Sequence, residues 1–485
     1  MTNPVTTHHS PLTSEDIVTS PFTSEDTICA PATAVGGALA VIRVSGPAAF
    51  SSVSTLCSLC CGAATANTVH FTRLTAPSPC DADSLARLTT PSQCDAVSPH
   101  REIIDEALVT IFRAPHSYTG EDSVEISCHG STYIVRRILD LLIQNGCRMA
   151  RPGEFTMRAY LNGKLDLSQA EAVADLIAST NKATHDIAMS QLRGHFSSKL
   201  KTLRDQLLKL TSLLELELDF SDHEDLEFAD RSELLALTQE IDAHIIRLAD
   251  SFDTGNAIKN GVPVAIVGAP NVGKSTLLNA LLEEERAIVS DMQGTTRDAI
   301  EDTVQLGGIT FRFIDTAGIR HTNDQIELMG IERSIAAAQR ARIILMMTEP
   351  GVSYPDIPVR DDQTVIRIEN KTDTFQAKFG IGLETLRRRL IDAAPKTNGN
   401  DVIITNARHY EALTNAHTHL QRVLEGMGAK MVNGQWLMVN PFLSGDLLSE
   451  DLRLVLADLA EITGEGQITP QETLNNIFSH FCVGK

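Results

Sequence analysis

The sequence has no apolar run long enough to cross a lipid bilayer. Its longest apolar stretches are of the kind found at residues 343–347, well short of the roughly 18 residues that a membrane-spanning helix needs. The first residues are polar and rich in Thr and Pro, without the basic segment and apolar core of a secretory signal. We therefore expect a cytoplasmic protein without a membrane partner.

Positive charge and aromatic side chains are also scarce. The chain has 41 Lys and Arg residues against 62 Asp and Glu residues, a formal net charge of −21, and its aromatic content is 5% with a single Trp. So acidic a chain is not expected to coat nucleic acid nonspecifically, and no aromatic platform for stacking single strands is indicated. Any contact with RNA therefore requires a local basic patch.

A disulfide framework is not indicated either. The nine cysteines are an odd number in a long chain without an export signal, which favours reduced thiols. Five of them crowd the N-terminal part, but their spacing fits no regular zinc finger, so a zinc site is disfavoured. These five are Cys57, Cys60, Cys61, Cys80 and Cys94.

Composition and periodicity divide the 485 residues into several parts. A Ser-, Thr- and Pro-rich tandem repeat opens the chain, strand-like and helix-like runs follow, and a long Pro-free stretch then shows helical periodicity. Strands and helices alternate in a later segment, as in a doubly wound sheet, before helical periodicity returns. The predicted boundaries are 1–25 for a disordered arm, 26–164 for an N-terminal α+β domain with 51–101 as an expanded loop, 165–260 and 401–485 for a helical bundle domain in two halves, and 261–400 for an inserted α/β domain.

A phosphate-binding motif opens the inserted domain. Residues 268–275 read Gly-Ala-Pro-Asn-Val-Gly-Lys-Ser, and they stand between a strand-like run and a helix-like run, as the G-x-x-x-x-G-K-[ST] motif requires. The glycines let backbone N–H groups close around phosphate oxygens. Lys274 would neutralise phosphate charge, and the Ser275 hydroxyl would ligate Mg²⁺.

Three further motifs indicate GTP as the nucleotide and a Ras-like G domain as the inserted fold. An Asp-Thr-Ala-Gly turn at 315–318 can sense Mg²⁺ and the γ-phosphate, and a switch threonine is expected within 294–298. At 370–373, Asn-Lys-Thr-Asp offers a carboxylate to the N–H donors of guanine. The predicted GTP-binding residues are Asn271, Val272, Gly273, Lys274, Ser275, Thr276, Ser290, Asp291, Met292, Gln293, Gly294, Thr295, Thr296, Asp315, Thr316, Ala317, Gly318, Asn370, Lys371, Thr372 and Asp373.

The hydrolytic machinery departs from that of Ras-type enzymes. There a Gln after the Asp-x-x-Gly turn positions the attacking water, whereas Ile319 occupies that position here. Another group must position the water, and another source of positive charge is needed. Glu327 is the candidate for the first role, and a monovalent cation held by Asn271 is the candidate for the second.

These motifs resemble those of potassium-activated GTPases, and most of the chain resembles the MnmE (TrmE) family of GTPases that modify the tRNA wobble uridine. The resemblance runs from about residue 26 to residue 485, apart from 51–101. Besides the nucleotide motifs, the residues that carry it are 115–122, 128–130, 151–156, 161–167, 451–453, 461–464 and the terminal Phe-Cys-Val-Gly-Lys at 481–485.

The resemblance implies particular ligands. For potassium they are Asn271, Ser290, Met292 and Thr295; for magnesium, Ser275 and Thr296; for a 5,10-methylenetetrahydrofolate donor, Arg43, Glu125, Lys164 and Lys485. Glu327 would orient water, and Cys482 would be the second catalytic residue. The family also implies that the N-terminal domain binds the folate and drives dimerisation.

The implied activity is potassium-dependent GTP hydrolysis coupled to addition of an aminomethyl or carboxymethylaminomethyl group at C5 of U34 in certain tRNAs. The implied partners are a second copy of the chain and an FAD-dependent protein of the MnmG (GidA) type, together forming a heterotetramer, and tRNA. Two alternatives stay open. One is a ribosome-assembly switch GTPase, which the absence of a KH-like module disfavours, and the other is a folate-binding scaffold with a weakened G domain.

One departure from the family concerns the guanine site. The family's guanine loop reads Ser-Ala-Lys about 20 residues after Asn-Lys-x-Asp, whereas here the nearest match is Gln376-Ala377-Lys378, only a few residues on. The spacing predicts that a strand is missing and that affinity or selectivity for guanine is weakened.

Overall fold

The computed structural model describes residues 26–76, 102–219, 231–286, 302–314, 335–395, 402–432, 435–438, 445–464, 471–479 and 481–484. The chain divides into two compact units, one formed by residues up to 165 together with 470–485 and the other by residues 166–469. The mixed architecture predicted from the sequence, with an N-terminal α+β part and a helical part, is confirmed.

The first unit is built on a six-stranded sheet with strand order β3-β4-β5-β2-β1-β6. All neighbours are antiparallel except β1 and β6. Apolar residues on alternate positions of β2, such as Ile42 and Val44, face a buried core, and this alternation is what makes the segment a strand. The elements are β1 (Thr27–Pro31), β2 (Leu39–Ser45), α1 (Ala49–Ser54), β3 (Thr68–Ala76), β4 (Glu102–Phe112), β5 (Ser123–His129), α2 (Thr132–Gln144), β6 (Cys147–Met149) and α3 (Glu154–Leu161).

The segment expected to be an expanded loop, 51–101, departs from that expectation over its first half. Residues 68–76 form β3, which pairs with β4 along its whole length, and Leu56 and Leu74 are buried in the core of the sheet. The alternating pattern of β3 was overlooked in the sequence because this segment runs into the Pro- and Ser-rich repeat. Residues 77–101 and the predicted arm at 1–25 lie outside the described residues.

The end of the chain also belongs to the first unit, although helical periodicity assigned it to the helical domain. Its last helix, Gln471–Ser479, packs on α3. Gly153, which precedes α3, lies so close that a Cβ there would be 2.7 Å from the Phe478 carbonyl oxygen. This is a contact between residues more than 300 positions apart, which periodicity does not report.

The second unit contains a helical part made from both sides of the insertion. Leucine- and isoleucine-rich faces of helices before and after the inserted domain share one core. Its helices are α4 (Leu167–Ala178), α5 (Lys182–Leu192), α6 (His195–Asp219), α7 (Arg231–Asn260), α10 (Ala407–Gly426) and α11 (Gly445–Thr463), with a hairpin of β12 (Ala429–Val432) and β13 (Gln435–Met438); the helix at Gln471–Ser479 in the first unit is α12.

The inserted part is a five-stranded sheet with strand order β11-β10-β7-β9-β8, parallel except for the β8–β9 pair. Every residue of β10 is buried, as expected for a central strand covered on both faces. Its elements are β7 (Val262–Gly268), α8 (Lys274–Arg286), β8 (Asp302–Leu306), β9 (Ile309–Phe313), β10 (Ile343–Thr348), β11 (Thr364–Glu369) and α9 (Leu383–Ala393).

The strand predicted to be missing after Asn-Lys-Thr-Asp is indeed not found within residues 370–395. β11 is the last strand at its edge of the sheet, and the chain passes through a tight turn and a short 3₁₀ helix, Ala377–Phe379, into α9. Only an isolated bridge between Gln376 and Ile381 gives this segment β structure.

Helices of the second unit hold the inserted sheet by its β8–β9 hairpin. The Asn181 side chain donates to the Thr310 hydroxyl over 2.8 Å, and the Gln305 side chain donates to the Thr180 carbonyl over 3.0 Å. Asn181 also caps α5 by accepting from the backbone N–H of Thr184. The link between α4 and α5 is therefore fastened to the sheet. Across the described ranges, no helix is long and apolar enough to cross a membrane.

Candidate functional site

The glycine-rich loop lies at the carboxyl end of β7, where only glycine fits at two positions. A Cβ on Gly268 would lie 2.5 Å from the Met347 carbonyl oxygen. Gly273 has a φ of +98°, and a Cβ there would lie 2.4 Å from Nδ2 of Asn370. The loop thus brings its backbone closer to β10 and to the Asn-Lys-Thr-Asp segment than any side chain would allow.

Lys274 begins α8 with its ammonium folded back over this loop. Its Nζ donates to the carbonyl oxygens of Gly268 and Ala269, each over 2.8 Å. Burial lowers the pKa of this ammonium from its ordinary value, because desolvation disfavours the charged form. A phosphate group would offer a stronger, oppositely charged partner in the same position. Ser275 and Thr276 follow in the first turn of α8, with Ser275 half-buried.

Asn370 braces the loop against the predicted guanine-binding segment. Its side chain is buried; Nδ2 donates to the Val272 carbonyl over 2.8 Å, and Oδ1 accepts from the Ala377 backbone N–H over 3.1 Å. Buried amides bonded on both sides fix the groups that they join. Asn370 therefore joins the phosphate loop to the Gln-Ala-Lys loop, and Asp373 lies exposed beside them.

Sequence reasoning missed one residue of this site, Glu349. It follows β10 and forms an ion pair with Lys371 Nζ. No local motif marks the residue. Its position could have been inferred only because the carboxyl ends of neighbouring parallel strands lie along one edge of a sheet.

Several predicted nucleotide and metal ligands lie outside the described residues. They are Ser290, Asp291, Met292, Gln293, Gly294, Thr295, Thr296, Asp315, Thr316, Ala317 and Gly318, as well as Glu327 and Lys485. Of the predicted potassium ligands, the structure describes Asn271, whose backbone φ is +60°. Of the predicted magnesium ligands, it describes Ser275. The roles of all these residues stay predictions.

A second group of predicted residues comes together in the first unit. Strand register places Arg43 of β2 directly opposite Glu125 of β5, and Nη2 of Arg43 lies 2.7 Å from Oε1 of Glu125. Nη1 of Arg43 donates to the Gly484 carbonyl over 3.3 Å. The guanidinium also lies over the rings of Tyr118 and Phe155, at 5.1 and 5.5 Å from their centroids. Two of the predicted folate residues and the C-terminal tail therefore meet.

The other residues predicted for this region lie close by. Lys164 Nζ donates to the Pro115 carbonyl over 3.0 Å. The Cys482 side chain is exposed, and its backbone carbonyl accepts from the Gly153 N–H at 3.5 Å. Beside Arg43 and Glu125 is a cavity of about 60 Å³, lined also by aromatic and hydroxyl side chains. It has room for a few atoms.

No metal cluster is formed within the part of the chain that the structure describes. There, no three His, Cys, Asp or Glu side chains converge in a way that would hold a metal ion. The thiols of Cys57 and Cys61 both approach the Leu59 carbonyl instead. Cys80 and Cys94 lie outside the described residues.

These features define a multidomain P-loop protein in which an α/β nucleotide-binding fold interrupts a helical domain. Comparison with known families places a boundary near residue 165 as well, and the match beyond that boundary spans the inserted domain and most of the C-terminal segment without dividing them. A family model described as "MnmE helical domain" matches residues 167–482, and one described as "GTP-binding protein TrmE N-terminus" matches residues 27–164.

Curated relatives extend this match over nearly the whole chain. Proteins named tRNA modification GTPase MnmE from Phocaeicola vulgatus, Bacteroides fragilis and Cytophaga hutchinsonii are 50%, 48% and 44% identical to it. Each alignment covers 93% of this chain, and 97%, 98% and 95% of the respective relatives. The chain belongs to the MnmE family. The relatives named above are tRNA modification GTPases, which are GTP hydrolases that act in tRNA modification.

Proposed function

We propose that this protein is a potassium-dependent GTPase that works with an FAD-dependent partner of the MnmG (GidA) type. Together they add an aminomethyl or carboxymethylaminomethyl group at C5 of the wobble uridine, U34, of certain tRNAs. The observation that carries the proposal is the phosphate loop braced by Asn370, in a chain that aligns with MnmE relatives over 93% of its length.

The residues of the loop fit a nucleotide. Gly268 and Gly273 leave a cradle that a Cβ would fill, and the Lys274 ammonium points to carbonyl oxygens that a phosphate would replace. In the proposed site Lys274 holds the β- and γ-phosphates, Ser275 ligates Mg²⁺ and Asp373 accepts from the base. Magnesium and potassium would supply positive charge to the developing transition state.

The potassium role rests on Asn271 and on the replacement of the usual glutamine by Ile319. GTP turnover is expected to be at least about tenfold faster in potassium chloride than in sodium chloride at equal ionic strength, since one missing charge-stabilising group costs on the order of 10²–10³. Equal rates would contradict the cation role.

ATP serves as the control substrate. If the protein does not turn over GTP faster than ATP, the alternative of a folate-binding scaffold is favoured. The shortened guanine loop supports that alternative.

For the first unit we propose folate binding and dimerisation. The fit of a folate to one chain is partial, because Arg43 is already paired with Glu125 and the adjoining cavity of about 60 Å³ admits only a small part of a pterin.

A second copy would cover an apolar strip on the open face of the sheet, where Phe71 and Leu108 lie side by side and Val69 is next along β3. All three side chains are exposed to solvent. Both roles are proposed for a homodimer joined by two partner proteins in a heterotetramer.

Cys482 provides the test of the whole proposal. Its thiol is exposed in a tail held between Gly153 and Arg43, close to the predicted folate residues. We expect this chain, expressed with its own flavoprotein partner in a host that lacks both, to restore the modified wobble uridine, and Cys482→Ser to restore less than about a tenth of it. Mass spectrometry of tRNA nucleosides gives the yield. Cys60→Ser, at a half-buried thiol of the same unit, is the control for loss of a thiol.

Each outcome of this experiment has a distinct meaning. Restoration by wild type and by Cys482→Ser alike would keep the modification function and remove the catalytic role of the thiol. No restoration by the wild type in the presence of the partner would overturn the proposed function.

A further inference from the structure

Glu349 and Lys371 connect three segments of the inserted domain. Glu349 follows the carboxyl end of β10, and its carboxylate is paired with Lys371 Nζ. The same ammonium donates to the Asn271 carbonyl over 3.5 Å. Lys371 thus extends from the predicted base loop to the phosphate loop, and Glu349 holds it from a third side.

Backbone conformation shows that both loops are constrained at these residues. Asn271 has a φ of +60° and Lys371 a φ of +62°. Asparagine visits the left-handed region readily, but lysine has no local hydrogen bond that favours it, and such a conformation persists only where surrounding contacts hold it. The ion pair with Glu349 and the bond to Asn271 are such contacts.

The base loop of this chain packs Ala377 and Phe375 on the core of the inserted sheet. Within residues 370–395 no strand follows β11, so the loop closes on itself through the Thr372–Phe375 turn and the Gln376–Ile381 bridge. Its links to the phosphate loop are the Asn370 amide and the Lys371 ammonium. The second of these links depends on where the lysine side chain is held.

We propose that Glu349 is a positioning residue for the guanine nucleotide, which it affects through Lys371. By holding the ammonium against the Asn271 carbonyl, it sets the distance between base loop and phosphate loop. It also keeps the ammonium from pairing with Asp373, the exposed carboxylate two residues on, which then stays available to the N–H donors of the base. The inference rests on the proposed function, since it requires that this site binds GTP.

Both side chains are partly exposed, 38% for Glu349 and 56% for Lys371, so the effect is moderate. Exposed ion pairs contribute about 0.2–1 kcal/mol, which corresponds to at most about a fivefold change in an equilibrium constant. We expect Glu349→Gln to raise the KM for GTP and the dissociation rate of a fluorescent GDP about three- to fivefold, with kcat within about twofold of wild type. Glu349→Asp should recover part of the loss.

Three results separate this role from a general structural one. The difference between Glu349→Gln and wild type should shrink as choline chloride is raised toward 1 M at a fixed potassium concentration, because salt screens exposed charges. Asp362→Asn, which removes an exposed carboxylate paired with Arg360 in the same domain, should leave KM and the dissociation rate unchanged. Selectivity for GTP over xanthosine triphosphate (XTP) should fall in Glu349→Gln and not in Asp362→Asn.

The measurement can fail in two recognisable ways. If the wild type binds GDP but Glu349→Gln matches it in dissociation rate and KM, or if Asp362→Asn has the same effect, the positioning role is overturned while GTP binding stands. If the wild type itself does not bind GDP, both the positioning role and the proposed function are overturned.

Discussion

Replacement of Lys274 by alanine is expected to lower GTP turnover by a factor of roughly 10²–10³, the range found when one preorganised charge-stabilising group is removed from an active site. The side chain begins α8, at the end of a loop that admits no Cβ at Gly268 or Gly273. Its ammonium contacts two loop carbonyls and pays a desolvation cost that lowers its pKa. A phosphate is the partner that would compensate for this burial.

The experiment compares steady-state GTP turnover of Lys274→Ala with that of wild type in potassium buffer. Arg388→Ala is the control, because Arg388 is a largely exposed cation on α9 of the same domain, where it pairs with Glu384. Its turnover should stay within about twofold of wild type. Retention of more than about a tenth of wild-type activity by Lys274→Ala would contradict the assignment of the loop as the catalytic phosphate site.

Replacement of Glu171 by alanine is expected to destabilise the second unit by about 3–5 kcal/mol, the usual cost of removing one partner from a buried ion pair. The Glu171 carboxylate accepts from Arg408 at 3.1 and 2.9 Å and lies 2.6 Å from Nε2 of His409. Arg408 in turn donates to the Glu461 carbonyl at the end of α11. One carboxylate therefore joins α4, α10 and α11.

The same cluster predicts a dependence on pH. Burial by itself would raise the pKa of Glu171, but the charges and hydrogen bonds of His409 and Arg408 outweigh it and lower the pKa to about 2 from an ordinary value of 4.5. A carboxyl whose folded-state pKa is depressed stabilises the fold fully above its unfolded pKa. The stabilisation should thus be complete above pH 4.5 and decline as the pH falls toward 2.

Urea unfolding followed by helical circular dichroism gives both results. The difference in unfolding free energy between wild type and Glu171→Ala should be largest near neutral pH and should shrink below pH 4.5. Glu384→Ala, which breaks an exposed pair with Arg388 on α9, should cost less than about 1 kcal/mol. A cost for Glu171→Ala no greater than that of the control, or a difference independent of pH, would contradict the buried-pair account.

Three properties of this protein could be predicted from sequence because their signals are local. The glycine-rich loop was recognised from eight consecutive residues, and the structure places it between β7 and α8 as predicted. The helical stretch from 165 to 260 was recognised from periodicity that its own residues carry. The absence of a strand between residues 374 and 395 was likewise predicted from a spacing.

Other features of the candidate sites were decided by contacts between residues far apart in the chain. Arg43 and Glu125 meet because β2 and β5 pair in a fixed register, which no property of either segment alone specifies. The Glu349–Lys371 pair arises because β10 and β11 are parallel neighbours whose carboxyl ends share an edge. The sequence specifies which residues are charged, and the topology of the sheets determines which of them form pairs.

The sequence by itself determined the order of the parts, the phosphate-binding loop and the family, because short motifs and periodic patterns are written in neighbouring residues. The tertiary structure alone decided that β3 is a strand of the first sheet and that residues 470–485 belong to the first unit. It also decided that Asn370 joins two loops. Each of these depends on burial or hydrogen bonding between distant segments, whose free energy exists only once the chain has folded.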